Sequence, residues 1–176
     1  LMVSKQINYS INTDLGFNKE AIISFELPRD TVKTHAPQLL RSIKSIPGVA
    51  LASTGFMSPA DQGAAFTGIS YDNGKAEVKP EESVQIRWGN PEYINIYQIP
   101  LVAGRNVEPS DTIREFLINE HFAHIMGFIR PQEAVGKFLN WNKKQIPVVG
   151  VMKDFHEMSM RSAIGAIAFG GRNGST

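Results

Sequence analysis

The sequence predicts an α+β fold of mixed α/β layers, and three observations predict it. Short apolar or alternating runs recur at strand length. Between them lie segments with apolar residues at helical spacing, bounded by caps and by Pro or Gly stops. The two kinds interleave along the chain, with no internal repeat or heptad run to suggest a solenoid or coiled coil.

Ala21-Ile22-Ile23-Ser24-Phe25-Glu26-Leu27, ended by Pro28, has the length and composition of a largely buried strand. Asp30 can cap a helix in which Val32, Ala36, Leu39, Leu40, Ile43 and Ile46 share a face and Pro47-Gly48 is the stop. Pro37 lacks an amide donor, so that helix is either kinked there or starts near it. A strand is expected over 49–54. Residues 58–83 are rich in Gly, Asp, Asn, Ser, Lys and Glu, with a turn signal at Asp72-Asn73-Gly74, and read as an exposed polar lobe.

Val84-Gln85-Ile86-Arg87-Trp88 alternates as a half-buried strand. Asn90-Pro91-Glu92 supplies a cap, a first-turn proline and an early acid for a short helix ending at Tyr97. A strand over 99–103 closes at Gly104. Phe116-Leu117-Ile118 is a further strand, and Asn119 caps a helix whose Phe122, Ala123 and Met126 share a face before Gly127 ends it. Loss of that cap in Asn119→Ala is expected to cost about 1 kcal/mol. Pro131-Gln132-Glu133-Ala134 forms a helical turn that Gly136 breaks. Ile146-Pro147-Val148-Val149-Gly150-Val151 is the last apolar strand and runs into Lys153-Asp154-Phe155-His156. The ending Gly170-Gly171-Arg172-Asn173-Gly174-Ser175-Thr176 reads as a frayed edge, and residues 1–19 as a helical stalk or loose arm.

Composition excludes several classes of function. The chain carries 18 basic and 17 acidic residues with no block of either sign, so it lacks a footprint for nucleic acid or anionic lipid. Without cysteine there is neither a disulfide framework nor a thiolate metal site, and the cytoplasm and periplasm are both open on that ground. The start has no signal-peptide pattern, and no run approaches the roughly 18 apolar residues of a membrane helix. Neither G-x-x-x-x-G-K-[ST] nor G-x-G-x-x-G occurs, so ATP hydrolysis and dinucleotide binding are not expected of this chain.

The candidate chemistry is thin. His121 and His124 stand three apart beside Glu120, close enough on a helix to share a metal. The zinc-protease pattern needs histidines four apart with Glu after the first, and Phe122 stands there, so partly exposed helix residues are the expectation. Asp154 and His156 resemble an acid and a base on one side of a strand end, with Phe155 on the other. No Ser in a glycine elbow accompanies them, and a capping role is expected instead. Arg105 after Gly104 resembles an anion site, but no second glycine completes a cradle, and a structural arginine is the default. Tyr93, Tyr97, Phe116, Phe122, Phe128, Phe138, Trp141 and Phe155 read as core. No catalytic, cofactor-binding or metal residue is assigned.

Taken in order, Asp14-Leu15-Gly16-Phe17-Asn18-Lys19-Glu20, Val102-Ala103-Gly104-Arg105-Asn106, Phe116-Leu117-Ile118-Asn119-Glu120, Met126-Gly127-Phe128, Pro131-Gln132-Glu133-Ala134-Val135-Gly136-Lys137 and Val148-Val149-Gly150-Val151-Met152-Lys153-Asp154-Phe155-His156 resemble the MacB-like periplasmic core domain of FtsX-like ABC transporter permeases. The resemblance covers most of the chain. It implies a non-enzymatic domain without cofactors, set between membrane helices in a bacterial inner membrane and facing the periplasm. The implied lobes are 20–58 with 112–168 near the membrane and 59–111 as a variable insert. Family members carry a further strand and helix after the Asp-Phe-His block, which implies that the membrane-proximal lobe is incomplete in this chain. The implied partners are a cytoplasmic ATPase subunit, a second permease copy, and a periplasmic adaptor or substrate protein, with nucleic acid excluded. Two other readings are a small metal-dependent hydrolase using His121 and His124, and a free-standing periplasmic binding or adaptor module working through 59–111.

Overall fold

The computed structural model describes residues 21–26, 35–59, 65–155 and 163–173. In chain order the elements are helix α1 (His35–Lys44), strands β1 (Gly55–Phe56), β2 (Phe66–Thr67), β3 (Ser70–Asp72), β4 (Glu77–Val78) and β5 (Val84–Gly89), helix α2 (Glu92–Ile96), strands β6 (Leu101–Gly104) and β7 (Phe116–Asn119), helix α3 (Glu120–Ile125), a 3₁₀ turn (Pro131–Ala134), and strands β8 (Phe138–Trp141), β9 (Lys144–Met152) and β10 (Ile167–Gly171). The expected α+β class is what these elements form.

The strands join in one sheet of order β1-β5-β10-β7-β9-β8-β3-β4, with β2 also on β5 and β6 also on β9. The β5–β10 and β7–β9 pairs are parallel. Strand β7 is buried on both faces, and alternation sends Phe116 and Ile118 to one core and Leu117 to the other. The first core is covered by α3 and the 3₁₀ turn through Phe122, Ala123, Met126 and Ala134. The second is covered by α2 through Tyr93, Ile94 and Tyr97. Each fully buried Phe contributes roughly 2 to 3 kcal/mol of transfer free energy, so Phe116 and Phe122 anchor the first layer.

Strand β9 serves three ladders. Its first half pairs with β8, and its second half lies between β6 and β7. A register shift opposite Phe116 and Leu117 passes over Val149. That bulge resets the alternation, which is why Val148 and Val151, three apart, enter the same core. Close approach requires glycine here. A Cβ on Gly150 would meet the Arg105 carbonyl, Leu117 Cδ2 at 2.8 Å and the Ala103 carbonyl at 3.0 Å.

Several elements differ from the sequence expectation. Residues 22–26 carry no strand pairing, and Ile23 is 89% and Phe25 62% exposed. Apolar β-formers make a strand only beside a ladder partner, and no described strand pairs with this segment. Asp30 and Leu27 lie outside the described residues. Helix α1 is described from His35, and Pro37 falls in its first described turn. The strand expected at 49–54 is loop, and pairing begins at Gly55 opposite Gly89.

The polar stretch does turn at Asp72-Asn73-Gly74, yet Ile69, Ser70 and Tyr71 are buried, so the lobe is not wholly exposed. Strands of 59–111 pair with the later strands at two places, β5 with β10 and β3 with β8, so hydrogen bonding is continuous across the position expected as a lobe boundary. Strand β5 is not half-buried either. Gln85 and Arg87 are covered on the face that β10 shares through Ile167 and Phe169, and Arg87 Nη1 donates to the Ser58 carbonyl at 2.9 Å. Phe138 is 54% exposed rather than core.

Two strands stand where the sequence signals none. Strand β8 turns into β9 through Asn142 and Lys143, both at positive φ (49° and 62°), the conformation of a type I′ hairpin. Gly170 and Gly171, expected as a frayed edge, are buried in β10, between β5 and β7. They sit there because Ile113 and Val107 cross directly over the backbone. A Cβ on Gly170 would stand 2.7 Å from Ile113 Cγ1, and one on Gly171 would stand 2.8 Å from Val107 Cβ.

Asn90 does not cap α2. Its side chain accepts from the Ser53 hydroxyl instead, and the helix start has no side-chain cap. The far end of α2 is well made. Gln98 N donates to the Asn95 carbonyl and Ile99 N to the Ile94 carbonyl, closing a Schellman motif with Gln98 at φ 50°. An L-residue with a Cβ pays a steric cost in that conformation, and Gln98 is exposed. Gln98→Gly is therefore expected to stabilise the protein by about 1 kcal/mol, read as a rise in melting temperature of roughly 3 °C.

Candidate functional site

Asn119 ends β7 in extended backbone and opens α3, its side-chain oxygen accepting from Phe122 N at 3.2 Å. The cap is where the sequence places it. The same oxygen accepts from Ile167 N at 2.9 Å, while Nδ2 donates to Asp154 Oδ1 at 2.8 Å and to the Gly165 carbonyl at 2.9 Å. Asn119 is 0% exposed, so removing any of these bonds strands a polar group away from water. Local sequence signals the cap but not the other contacts, which come from residues 35 to 48 positions away. The opposite end of α3 closes as expected on Gly127, at φ 90°, with Gly127 N on the His124 carbonyl and Phe128 N on the Ala123 carbonyl.

Asp154 Oδ1 also accepts from His121 N at 3.0 Å, and Glu120 Oε2 accepts from Asp154 N at 3.2 Å. The carboxylate thus serves one free amide at the start of α3, where the helix dipole favours negative charge. This is the capping role expected of Asp154. His156 lies outside the described residues.

His121 Nε2 faces Glu82 Oε1 at 3.0 Å, and that carboxylate oxygen also accepts from Ala166 N at 2.7 Å. His124 is exposed in the last turn of α3. The two imidazoles therefore serve separate surroundings. Among the described residues no group of three His, Cys, Asp or Glu side chains is placed to hold a metal ion. Glu82 has no signal of its own within the polar Glu81-Glu82-Ser83 run.

Arg105 is a structural arginine. Its guanidinium forks onto Glu115, Nη2 to Oε1 at 2.5 Å and Nη1 to Oε2 at 3.1 Å, and Nη1 also donates to the Asn106 carbonyl. Glu108 N donates to Glu115 Oε2 at 2.9 Å. Hydrogen bonding from Arg105 holds the Glu115 carboxyl below its ordinary value of 4.5, against partial burial. A depressed carboxyl adds stability that is full above the ordinary value and is lost as pH falls through the folded one. Acid unfolding curves of Glu115→Gln are therefore expected to be flatter than wild type below about pH 4.5.

What the cluster does is join helix, sheet and loop. Asn119, Asp154, Glu120, Glu82 and His121 tie α3, the segment after β9, the segment before β10 and the loop before β5 into one hydrogen-bonded body.

This fold, a mixed sheet with α3 on one face and α2 on the other, is similar to that of solved periplasmic regions of MacB and permease proteins. Among solved structures, the periplasmic region of MacB from Actinobacillus actinomycetemcomitans matches with a TM-score of 0.53 at 12% identity, over 77% of this chain and 54% of that one. A domain assigned to a permease protein of Porphyromonas gingivalis matches with a TM-score of 0.52 at 20% identity, over 78% of this chain and 55% of that one. The chain thus spans about half the length of the structures it matches. No protein-family model and no curated protein matches it.

Proposed function

We propose that this chain is part of the extracytoplasmic domain of an inner-membrane ABC transporter permease, and that it passes ATP-driven movement to a periplasmic substrate or partner protein. The observation that supports this most is the shared fold with permease periplasmic regions. In this reading the domain is an output arm and not an enzyme. ATP is hydrolysed by a cytoplasmic ATPase subunit, and the movement arrives through membrane helices of the intact permease. A second permease copy or a periplasmic adaptor is the expected contact. Such an arm must be stiff, because a lever that bends absorbs the displacement it should deliver. The Asn119 network supplies stiffness where helix, sheet and loop meet.

Among the described residues no helix is long and apolar enough to cross a membrane. The test is therefore the parent coding sequence, which should encode apolar spans of about 20 residues on both sides of this segment. Absence of both spans would end the proposal.

A further inference from the structure

The hairpin between β3 and β4 turns on Asp72-Asn73-Gly74, and its contacts resemble a small reaction centre. Gly74 N donates to Asp72 Oδ1 at 2.8 Å. Asn73 Oδ1 accepts from Lys75 N at 2.9 Å and from Ala76 N at 3.0 Å. Residues 72–76 are all exposed, so water reaches them. Gly74 has no Cβ, sits at φ 86°, and nothing stands within 4 Å of the place a Cβ would occupy. The nitrogen that follows Asn73 is thus unhindered, and attack by it on Asn73 Cγ closes a five-membered ring.

These contacts and the exposure of the turn meet the three demands of that attack. A base must take the proton from Gly74 N, and the Asp72 carboxylate already accepts that hydrogen. Negative charge must develop on Asn73 Oδ1, and two backbone N–H groups already point at it. The leaving group must depart into water, and Asn73 is exposed.

We propose that Asn73-Gly74 is a self-modification site whose own turn promotes deamidation. The Gly74 N–Asn73 Cγ bond forms and the Cγ–Nδ2 bond breaks. The proton from Gly74 N passes through Asp72 to Nδ2, which leaves as ammonia. Water then opens the succinimide at either carbonyl, giving an aspartyl or an isoaspartyl residue, with no change of oxidation state. The product adds a negative charge beside Asp72 and Glu77. The isoaspartyl form also lengthens the backbone by a methylene inside the turn that holds Asn73 N on the Ala76 carbonyl, so it loosens β4 from β3.

The test incubates the folded protein at neutral pH beside a synthetic peptide of residues 68–80. Both are followed by the mass gain of deamidation and by isoaspartyl methyltransferase labelling. The folded chain is expected to convert roughly tenfold faster than the peptide, and Asp72→Asn, which keeps an acceptor but not a base, is expected to slow the folded chain and not the peptide. Conversion of the folded chain at the peptide rate or slower would overturn the proposal, as would an Asp72→Asn variant that converts at the wild-type rate. Asn73→Gln should abolish the signal at this site, and a signal that persists there would also overturn it.

Discussion

Asn119→Ala is expected to lower stability by about 3 kcal/mol, three times what loss of a helix cap alone would cost. The cap is only one of the hydrogen bonds this side chain makes. Truncation leaves Phe122 N, Ile167 N and the Gly165 carbonyl without their partner and removes a donor from Asp154, all at a residue with no exposure. Each stranded buried group costs roughly 1 kcal/mol or more. For a chain of this size that is a fall in melting temperature of about 10 °C, measured by circular dichroism or calorimetry. Asn119→Asp discriminates further. It restores the acceptor for Phe122 and Ile167 but sets a carboxylate against Asp154 in place of a donor, so it should also destabilise, and more at pH 7 than at pH 4. A fall of only about 1 kcal/mol in Asn119→Ala would show that the longer-range bonds carry no weight.

Gly104→Ala is expected to be at least as damaging, at about 4 kcal/mol or outright failure to fold. Two costs add at this position. The backbone holds φ at 69°, which penalises any Cβ, and the added methyl would lie against the Val149 carbonyl and within 2.7 Å of Gly150 Cα. Both obstacles are backbone in a paired strand, so no side chain can swing aside. Gly127→Ala is the control. Its φ is 90°, yet nothing stands within 4 Å of the added atom, so only the conformational cost of about 1 kcal/mol applies. Equal losses in the two variants, measured by urea unfolding, would refute the role assigned to the β6–β9 crossing.

These contrasts separate the parts of the fold that can be read in the residues from those that cannot. The start and end of α3 are legible because caps act within a few residues, and Asn119 and Gly127 have the chemistry those positions need. Asp154 reaches the start of α3 from 33 residues away, so its residue type is legible and its target is not. The run Ala21-Ile22-Ile23 has the composition of a strand, but pairing depends on a neighbour that composition does not report. Strand β10 is hidden for the opposite reason. Its glycines read as loop, although they are fitted to side chains of Ile113 and Val107 packed over them. Strand β8 is hidden because Asn142-Lys143 lacks the glycine that marks a type I′ turn. Of the site, Asp154 and His121 are visible in the sequence, while Glu82 joins them only through the fold.

The passage of β9 through both parts of the sheet has a mechanical corollary. A sheet made of two abutting pieces could part along the join, each half keeping its own hydrogen bonds. Here one nine-residue strand runs through both pieces, its first half paired in one and its second half in the other, so covalent chain spans the join. Displacement at the β3–β4–β8 end is therefore carried along β9 by covalent chain and passes to β7 through the parallel β7–β9 ladder.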